Sequence, residues 1–140
     1  MNLNKFNLNF KPADTIEEFE ELIKNKPNGL IYNIQDLQRF YKEDNERFIN
    51  DNKIKKAMQD FEKSVSFSSN GGFCSGNFES LEENLTYRQL EEVCARLGIS
   101  MRLCEERKGF RCEEYPSGGD IKRCMPSPNN SDVCFPCSCQ

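Results

Sequence analysis

Apolar and polar positions change period several times along the chain, and each change predicts an element. Phe6, Leu8 and Phe10 recur every second residue within positions 2–10, with asparagines between them, which predicts a short strand. Lys11-Pro12-Ala13 ends it. Asp14 or Thr15 then offers a helix N-cap, with Glu17 and Glu18 placed as capping-box partners. Ile16, Phe19, Leu22 and Ile23 line one helix face, and Pro27-Asn28-Gly29 stops that helix. Leu30-Ile31-Tyr32 leans towards a strand. Helical spacing returns from Asn33 through Ile34, Leu37, Tyr41 and Phe48, and again after Asn50-Asp51-Asn52 through Ile54, Ala57, Met58 and Phe61. Asp and Asn interrupt these faces, so tertiary packing is expected to hold them.

Residues 64–77 are rich in Ser, Gly and Asn and read as a linker or long loop. The best-defined pattern follows. Thr86-x-x-Gln89 is a capping box, and Leu90, Val93, Cys94, Leu97, Met101 and Cys104 share one helix face. Gly98 with Ile99 behind it suits a helix C-terminus, Ser100 can cap a second helix, and Gly109-Phe110 closes it. Thr86–Lys108 is therefore one helix with a glycine inside it or two helices across a tight turn. Beyond Phe110, residues Pro116, Gly118, Gly119, Pro126, Pro128, Asn129, Asn130 and Pro136 predict irregular loops. The expected fold is mainly α with minor β (α+β). A cysteine-free helical region, 1–63, leads through the linker 64–77 to a cysteine-rich cross-linked domain, 78–140, built on a helical hairpin.

Composition sharpens the last part. All eight cysteines fall between Cys74 and Cys139, spaced C-x19-C-x9-C-x7-C-x11-C-x9-C-x2-C-x-C. That is denser than the ~8–10 % that marks a disulfide or metal scaffold. Residues 71–140 hold 13 Leu, Ile, Val and Phe against 19 in residues 1–70. So lean a segment is expected to need cross-links to offset the entropy of ordering its backbone. The candidate disulfide residues are Cys74, Cys94, Cys104, Cys112, Cys124, Cys134, Cys137 and Cys139. Their pairing stays open among about 105 possibilities. Nine of the eleven Lys precede the linker and six of the eight Arg follow it, as two modules of different origin would give.

Net charge is −4, which argues against nucleic-acid and anionic membrane partners. No apolar run approaches the ~18 residues that span a bilayer. The Met1-Asn2-Leu3-Asn4-Lys5-Phe6 start has no apolar h-region, so no secretory signal is read there. Disulfides nevertheless favour an oxidising or extracellular compartment, with the cytoplasm as the alternative if the thiols are reduced or metal-bound. Histidine is absent, which removes Ser-His and Cys-His pairs and imidazole metal ligation.

Several constellations carry possible chemistry. Gly72-Phe73-Cys74-Ser75-Gly76 has the G-x-C-x-G shape of a nucleophile elbow but lacks a histidine base, so a loop leading to a bridge is expected. Cys134-Phe135-Pro136-Cys137 is a C-x-x-C pair outside any βαβ context, and reads as a staple. Zinc held by Cys112, Cys124, Cys134 and Cys137, or with Cys104, is the alternative. The spacings Cys94–Cys104 and Cys124–Cys134 resemble the twin C-x9-C pattern of mitochondrial intermembrane-space proteins, which reach an oxidising space without a classical signal. The prolines Pro126 and Pro128 in the second interval do not suit the helix that family requires.

Val93 to Cys104 resembles a helix-turn-helix core with Leu97-Gly98-Ile99-Ser100 as its turn. That resemblance implies that Cys94 and Cys104 pack together, as a disulfide or a buried thiol pair, and that Arg102, Arg107 and Lys108 would face DNA. Residues 71–140 carry 8 basic and 11 acidic residues, so a helical hairpin without DNA binding is expected. The Glu doublets at 82–83, 91–92, 105–106 and 113–114 read as a surface compensated by nearby arginines. The sequons at Asn84 and Asn129 decide nothing among fifteen asparagines. Gly71-Gly72 is a minor candidate for a processing site.

No residue pattern names a ligand or a reaction. The expectation is a non-enzymatic protein-interaction or structural module with a disulfide-stabilised surface around 110–139 and no cofactor. The alternative is an intracellular zinc-binding helix-turn-helix regulator.

Overall fold

The computed structural model describes residue 6, residues 8–114 and residues 122–135. It is an α+β fold with a minor β part. Helix α1 (Ile16–Asn25) starts at Thr15, whose Oγ1 accepts from the Glu18 amide at 3.1 Å, while the Glu18 carboxylate accepts from the Asp14 amide at 3.0 Å. Thr15 rather than Asp14 is thus the cap. Asn33 caps α2 (Ile34–Arg39), which runs into a π-helical turn, Phe40–Asp44. Asn45 then caps the short α3 (Glu46–Ile49), and Asp51 caps α4 (Asn52–Ser64). The helical spacing from Asn33 therefore becomes two short helices, because the Asn45 side chain accepts from the Arg47 amide and restarts the helix there. All four apolar positions of α4, Ile54, Ala57, Met58 and Phe61, are buried.

Residues 64–77, expected to be a linker, instead supply β1 (Ser66–Phe67) and β2 (Phe73–Asn77). Strand β2 is the centre of an antiparallel sheet of order β1-β2-β5, where β5 is Asp132–Cys134. Its Gly76 is needed by packing, since a Cβ there would lie 3.0 Å from the Phe61 ring. Four ring contacts run in series through the interior. Phe61 meets Phe78 at 4.9 Å, Phe78 meets Phe73 at 6.0 Å, Phe73 meets Phe135 at 5.6 Å and Phe135 meets Phe19 at 4.8 Å. One apolar core consequently extends from Ala13 to Phe135, across the boundary expected at 64–77.

Helices α5 (Glu79–Asn84), α6 (Tyr87–Arg96) and α7 (Met101–Glu106) close the far side of that core. Both bonds of the Thr86–Gln89 capping box form, at 3.2 and 2.8 Å. Gly98 breaks the face into two helices: its φ is +92°, and a Cβ would meet Leu30 Cδ1 at 2.8 Å. Ser100 caps α7 through the Leu103 amide at 3.1 Å. The expectation that sulfur holds everything after residue 71 is corrected here. Of the twelve described Leu, Ile, Val and Phe in residues 71–140, ten are buried, because α1 to α4 supply the opposite wall.

Leu30-Ile31-Tyr32 is not a strand. Leu30 and Ile31 are buried, and the Ile31 amide donates to the Arg96 carbonyl at 2.9 Å, which ties this loop to the end of α6. At the N-terminus, Phe6 and Leu8 are buried against Ala95, with Phe10 beside them. Residues 8–10 form no strand, and the rest of that expected strand lies outside the described residues, apart from Phe6. Where irregular loops were expected after Phe110, β3 (Phe110–Glu114) and β4 (Lys122–Pro126) form an antiparallel hairpin. Pro126 ends β4, a position where a missing ladder N–H is tolerated. Pro116, Gly118, Gly119 and Pro136 lie outside the described residues.

Candidate functional site

The hairpin is fastened to the body by sulfur. Cys124 on β4 is bonded to Cys134 at the end of β5, with their Cα atoms 5.6 Å apart. Cys74 on β2 is disulfide-bonded too. Cys74 and Cys134 are buried, and Phe110, Cys112 and Cys124 pack against them as a small satellite of the main core. Cys112 stands opposite Cys124 in the strand register. Strand β5 is also a member of the central sheet, so the Cys124–Cys134 bond couples the hairpin directly to the core.

Hydrogen bonds fix the approach to the hairpin and the turn after it. Arg107 lies over the Phe110 ring at 4.9 Å and donates from Nε to the Cys134 carbonyl at 2.9 Å. Burial lowers the Arg107 pKa from its ordinary value. The Asp132 carboxylate accepts from Asn77 Nδ2 at 2.7 Å and from Ser127 Oγ at 2.6 Å. Its carbonyl accepts from the Gly109 amide at 2.8 Å. Glu82 receives Ser131 Oγ at 2.5 Å and also pairs with the Lys108 ammonium, which reaches Glu105 at 3.1 Å. Burial alone would lower the Lys108 pKa, but these two carboxylates more than reverse it and hold it above its ordinary value. Outside this network, Arg111, Arg123, Pro126, Pro128, Asn129 and Asn130 are exposed.

The second sulfur pair is of another kind. Cys94 on α6 and Cys104 on α7 are thiols, both buried. They are joined by a hydrogen bond between their side chains, which together with burial raises the Cys94 pKa. The helix-turn-helix resemblance placed these two side by side, and they are. The expectation of a disulfide at each of them is corrected to a buried thiol pair. Cys137 and Cys139 lie outside the described residues.

Cys74 sits inside strand β2 and is bonded, so G-x-C-x-G forms no elbow with a reactive thiol. Within the zinc set Cys112, Cys124, Cys134 and Cys137, two sulfurs are bonded to each other and offer no thiolate. Of the residues that would face DNA, Arg102 pairs with Glu106 at 3.5 Å, and Arg107 and Lys108 are engaged inside the protein. Most of the described Glu doublets carry compensating partners, but Glu92 is buried, not solvated. Its carboxylate accepts from Asn45 Nδ2 at 2.9 Å and Arg47 Nη2 at 2.5 Å. Helical spacing puts Glu92 opposite the Leu90, Val93, Cys94 and Leu97 face of α6, so its burial comes from the long-range approach of α3 and had no signal in the sequence.

Sequence reasoning missed two clefts. One, of about 200 Å3, lies between the N-terminal segment (Phe6, Leu8, Pro12) and Ala95, Ile99 and Met101. The other, of about 230 Å3, is bounded by the 26–32 loop, Arg39, Phe40 and Arg96. Both are built from loops whose positions follow from long-range contacts. In comparisons with known proteins, no family model, no curated protein and no solved structure matched this chain.

Proposed function

We propose that the chain is a non-enzymatic protein-interaction module whose recognition surface is the β3–β4 hairpin and the 127–132 turn beside it. The observation that carries this reading is the Cys124–Cys134 bond, which fastens an exposed hairpin to a strand of the central sheet. A surface ordered before association loses less entropy on binding than one that must be ordered by its partner. Among the described residues β4 pairs only with β3, an arrangement that supports recognition of a partner strand along the hairpin. The partner in this reading is a protein rather than nucleic acid or membrane, and no cofactor is required. The compartment is an oxidising one, with which the bond is compatible.

Photo-crosslinking tests the reading. A benzophenone side chain is placed at Asn130 in the turn or, as control, at exposed Lys53 on α4. The expected result is a discrete protein adduct from position 130, absent from position 53 and lost when Cys124 and Cys134 are both changed to Ala. Adducts that form equally from both positions, or that survive loss of the bond unchanged, would overturn it.

A further inference from the structure

Arg96 is the unusual charge in this fold. It ends α6, where the helix dipole favours a cation, and its carbonyl already receives the Ile31 amide at 2.9 Å. Its guanidinium lies over the Phe40 ring at 5.6 Å. The dipole accounts for a positive charge there, but not for what the guanidinium does with its donors. Among the described residues it forms no ion pair, and its Nε is buried with no hydrogen-bond acceptor. Arg39, Arg47, Arg102, Arg107 and Arg111 all reach an acceptor. The chain has 23 acidic residues against 19 basic ones, so an arginine left without a carboxylate is not short of choices. A buried donor without an acceptor costs free energy that a ligand oxygen would recover.

The surroundings point to the sign and size of that ligand. Arg96, Arg39 and Lys26 all line the cleft of about 230 Å3. Among the described residues lining it, Asp36 is the one carboxylate, and both its oxygens are engaged: Oδ1 by Arg39 at 3.1 Å and Oδ2 by the Tyr32 amide at 3.1 Å. Three cations against one occupied carboxylate leave an excess of two positive charges. Gly29, at φ +91°, lies beside the guanidinium, where a Cβ would stand 3.9 Å from Arg96 Nη1. A planar guanidinium over an aromatic ring, with its Nε unclaimed, carries the donor set that can take two oxygens of one oxyanion.

We infer that this cleft binds a small phosphate dianion, such as the phosphate group of a monoester, through Arg96 with Lys26 and Arg39 supplying charge. The Nε is closed to solvent, so this contact requires the side chain to turn until the Nε–Nη edge meets the cleft. The site lies on α1, α2 and α6 and does not depend on the hairpin reading.

Inorganic phosphate is the probe, titrated at constant ionic strength into the 15N-labelled full chain while the arginine Nε–H signals are followed. One signal, identified by its loss in Arg96→Gln, is expected to shift saturably. Lys26→Gln, which changes an exposed side chain, is expected to weaken binding about two- to fivefold, the ordinary worth of one exposed ion pair. Acetate at matched ionic strength is expected to move the same signal far less, because a monoanion meets only half of the excess charge. Equal shifts at several arginines, a response that does not saturate, or unchanged affinity in Lys26→Gln would overturn the site. So would an equal response to acetate.

Discussion

The helical body and the terminal hairpin hold their shapes by different means. In the body, Phe19, Phe61, Phe73, Phe78 and Phe135 touch in series, and α1 and α4 to α7 each press at least one buried apolar side chain towards them. In the hairpin, Arg111, Arg123 and Pro126 are exposed, and shape comes from strand pairing, the Cys124–Cys134 bond and the bonds to Asp132. The change of mechanism falls near Arg107–Phe110, well after the Ser/Gly/Asn-rich stretch where composition shifts. A lean sequence does not need sulfur if a neighbour supplies the second wall of its core. It needs sulfur where one face has no neighbour at all.

The sharpest way to break this comparison is to remove a ring that both sides of the expected boundary share. Phe78 is 1 % exposed and meets Phe61 and Phe73. Phe78→Ala is expected to cost about 3–5 kcal/mol in denaturant unfolding, as for other buried aromatics. A single, cooperative transition should move as a whole. Two separable transitions, with only the second displaced, would show that residues before 64 and after 77 fold apart.

Removing the bond should act more locally. Cys124→Ala with Cys134→Ala is expected to cost about 2–3 kcal/mol, the scale for a short cross-linked loop. The loss should appear first as faster hydrogen exchange at Arg111, Cys112, Glu113 and residues 123–125, while α4 and α6 keep their protection. Uniform loss of protection across α4 and α6 would place the bond among the supports of the core and erase the contrast.

What was legible in the sequence follows the same division. The Thr86–Gln89 capping box, the Ser100 cap and the buried face Ile54, Ala57, Met58 and Phe61 were readable because each depends on residues within a few positions of one another. The pairing of β2 with β5 was not, since Ser75 meets Cys134 only after the intervening helices have folded back. Pro126 and Pro128 correctly excluded a helix but not a five-residue strand that ends on the first of them. The Cys94–Cys104 contact was readable as a helical-hairpin contact, whereas its oxidation state was not. The unclaimed Arg96 was beyond reach, because it is defined by partners that Arg39 has and Arg96 lacks.

The buried charge on α6 gives a smaller effect that sharpens the picture of the body. Glu92 has a side chain only 3 % exposed, but its partner Arg47 is 60 % exposed, so much of that attraction is screened. Glu92→Gln keeps an acceptor for Asn45 and removes the charge. The expected loss is about 1–2 kcal/mol, well below that for Phe78, measured by the shift in denaturant midpoint at pH 7. A loss as large as the ring's would mean that a polar bridge, rather than aromatic packing, joins α3 to α6.

The mildest probe is alkaline pH, and it reads the second sulfur pair alone. The hydrogen bond that the Cys94 thiol donates to Cys104, together with burial, raises the Cys94 pKa above its ordinary value. A group whose folded pKa is raised contributes stability that is fully present below its unfolded pKa and is lost as pH rises through the folded one. For a thiol the loss begins near pH ~8.5. Tyr32, Tyr41 and Lys108 are also raised, but their unfolded counterparts ionise only near or above pH ~10, so they leave the range just above pH 8 to Cys94. Between about pH 8 and 9.5 the native chain is expected to lose about 1 kcal/mol, since the unfolded thiol ionises and the buried one does not. Anaerobic denaturant unfolding checks this, with acid quenching and peptide mass analysis to verify that Cys124–Cys134 has not exchanged with the unfolded thiolates. Cys94→Ala should flatten the slope over that range while leaving a downturn above pH ~10. If the slope survives the substitution, the buried pair is not what sets it. If it is absent from the native chain, the two sulfurs are already joined as a disulfide, and the body too is held by sulfur.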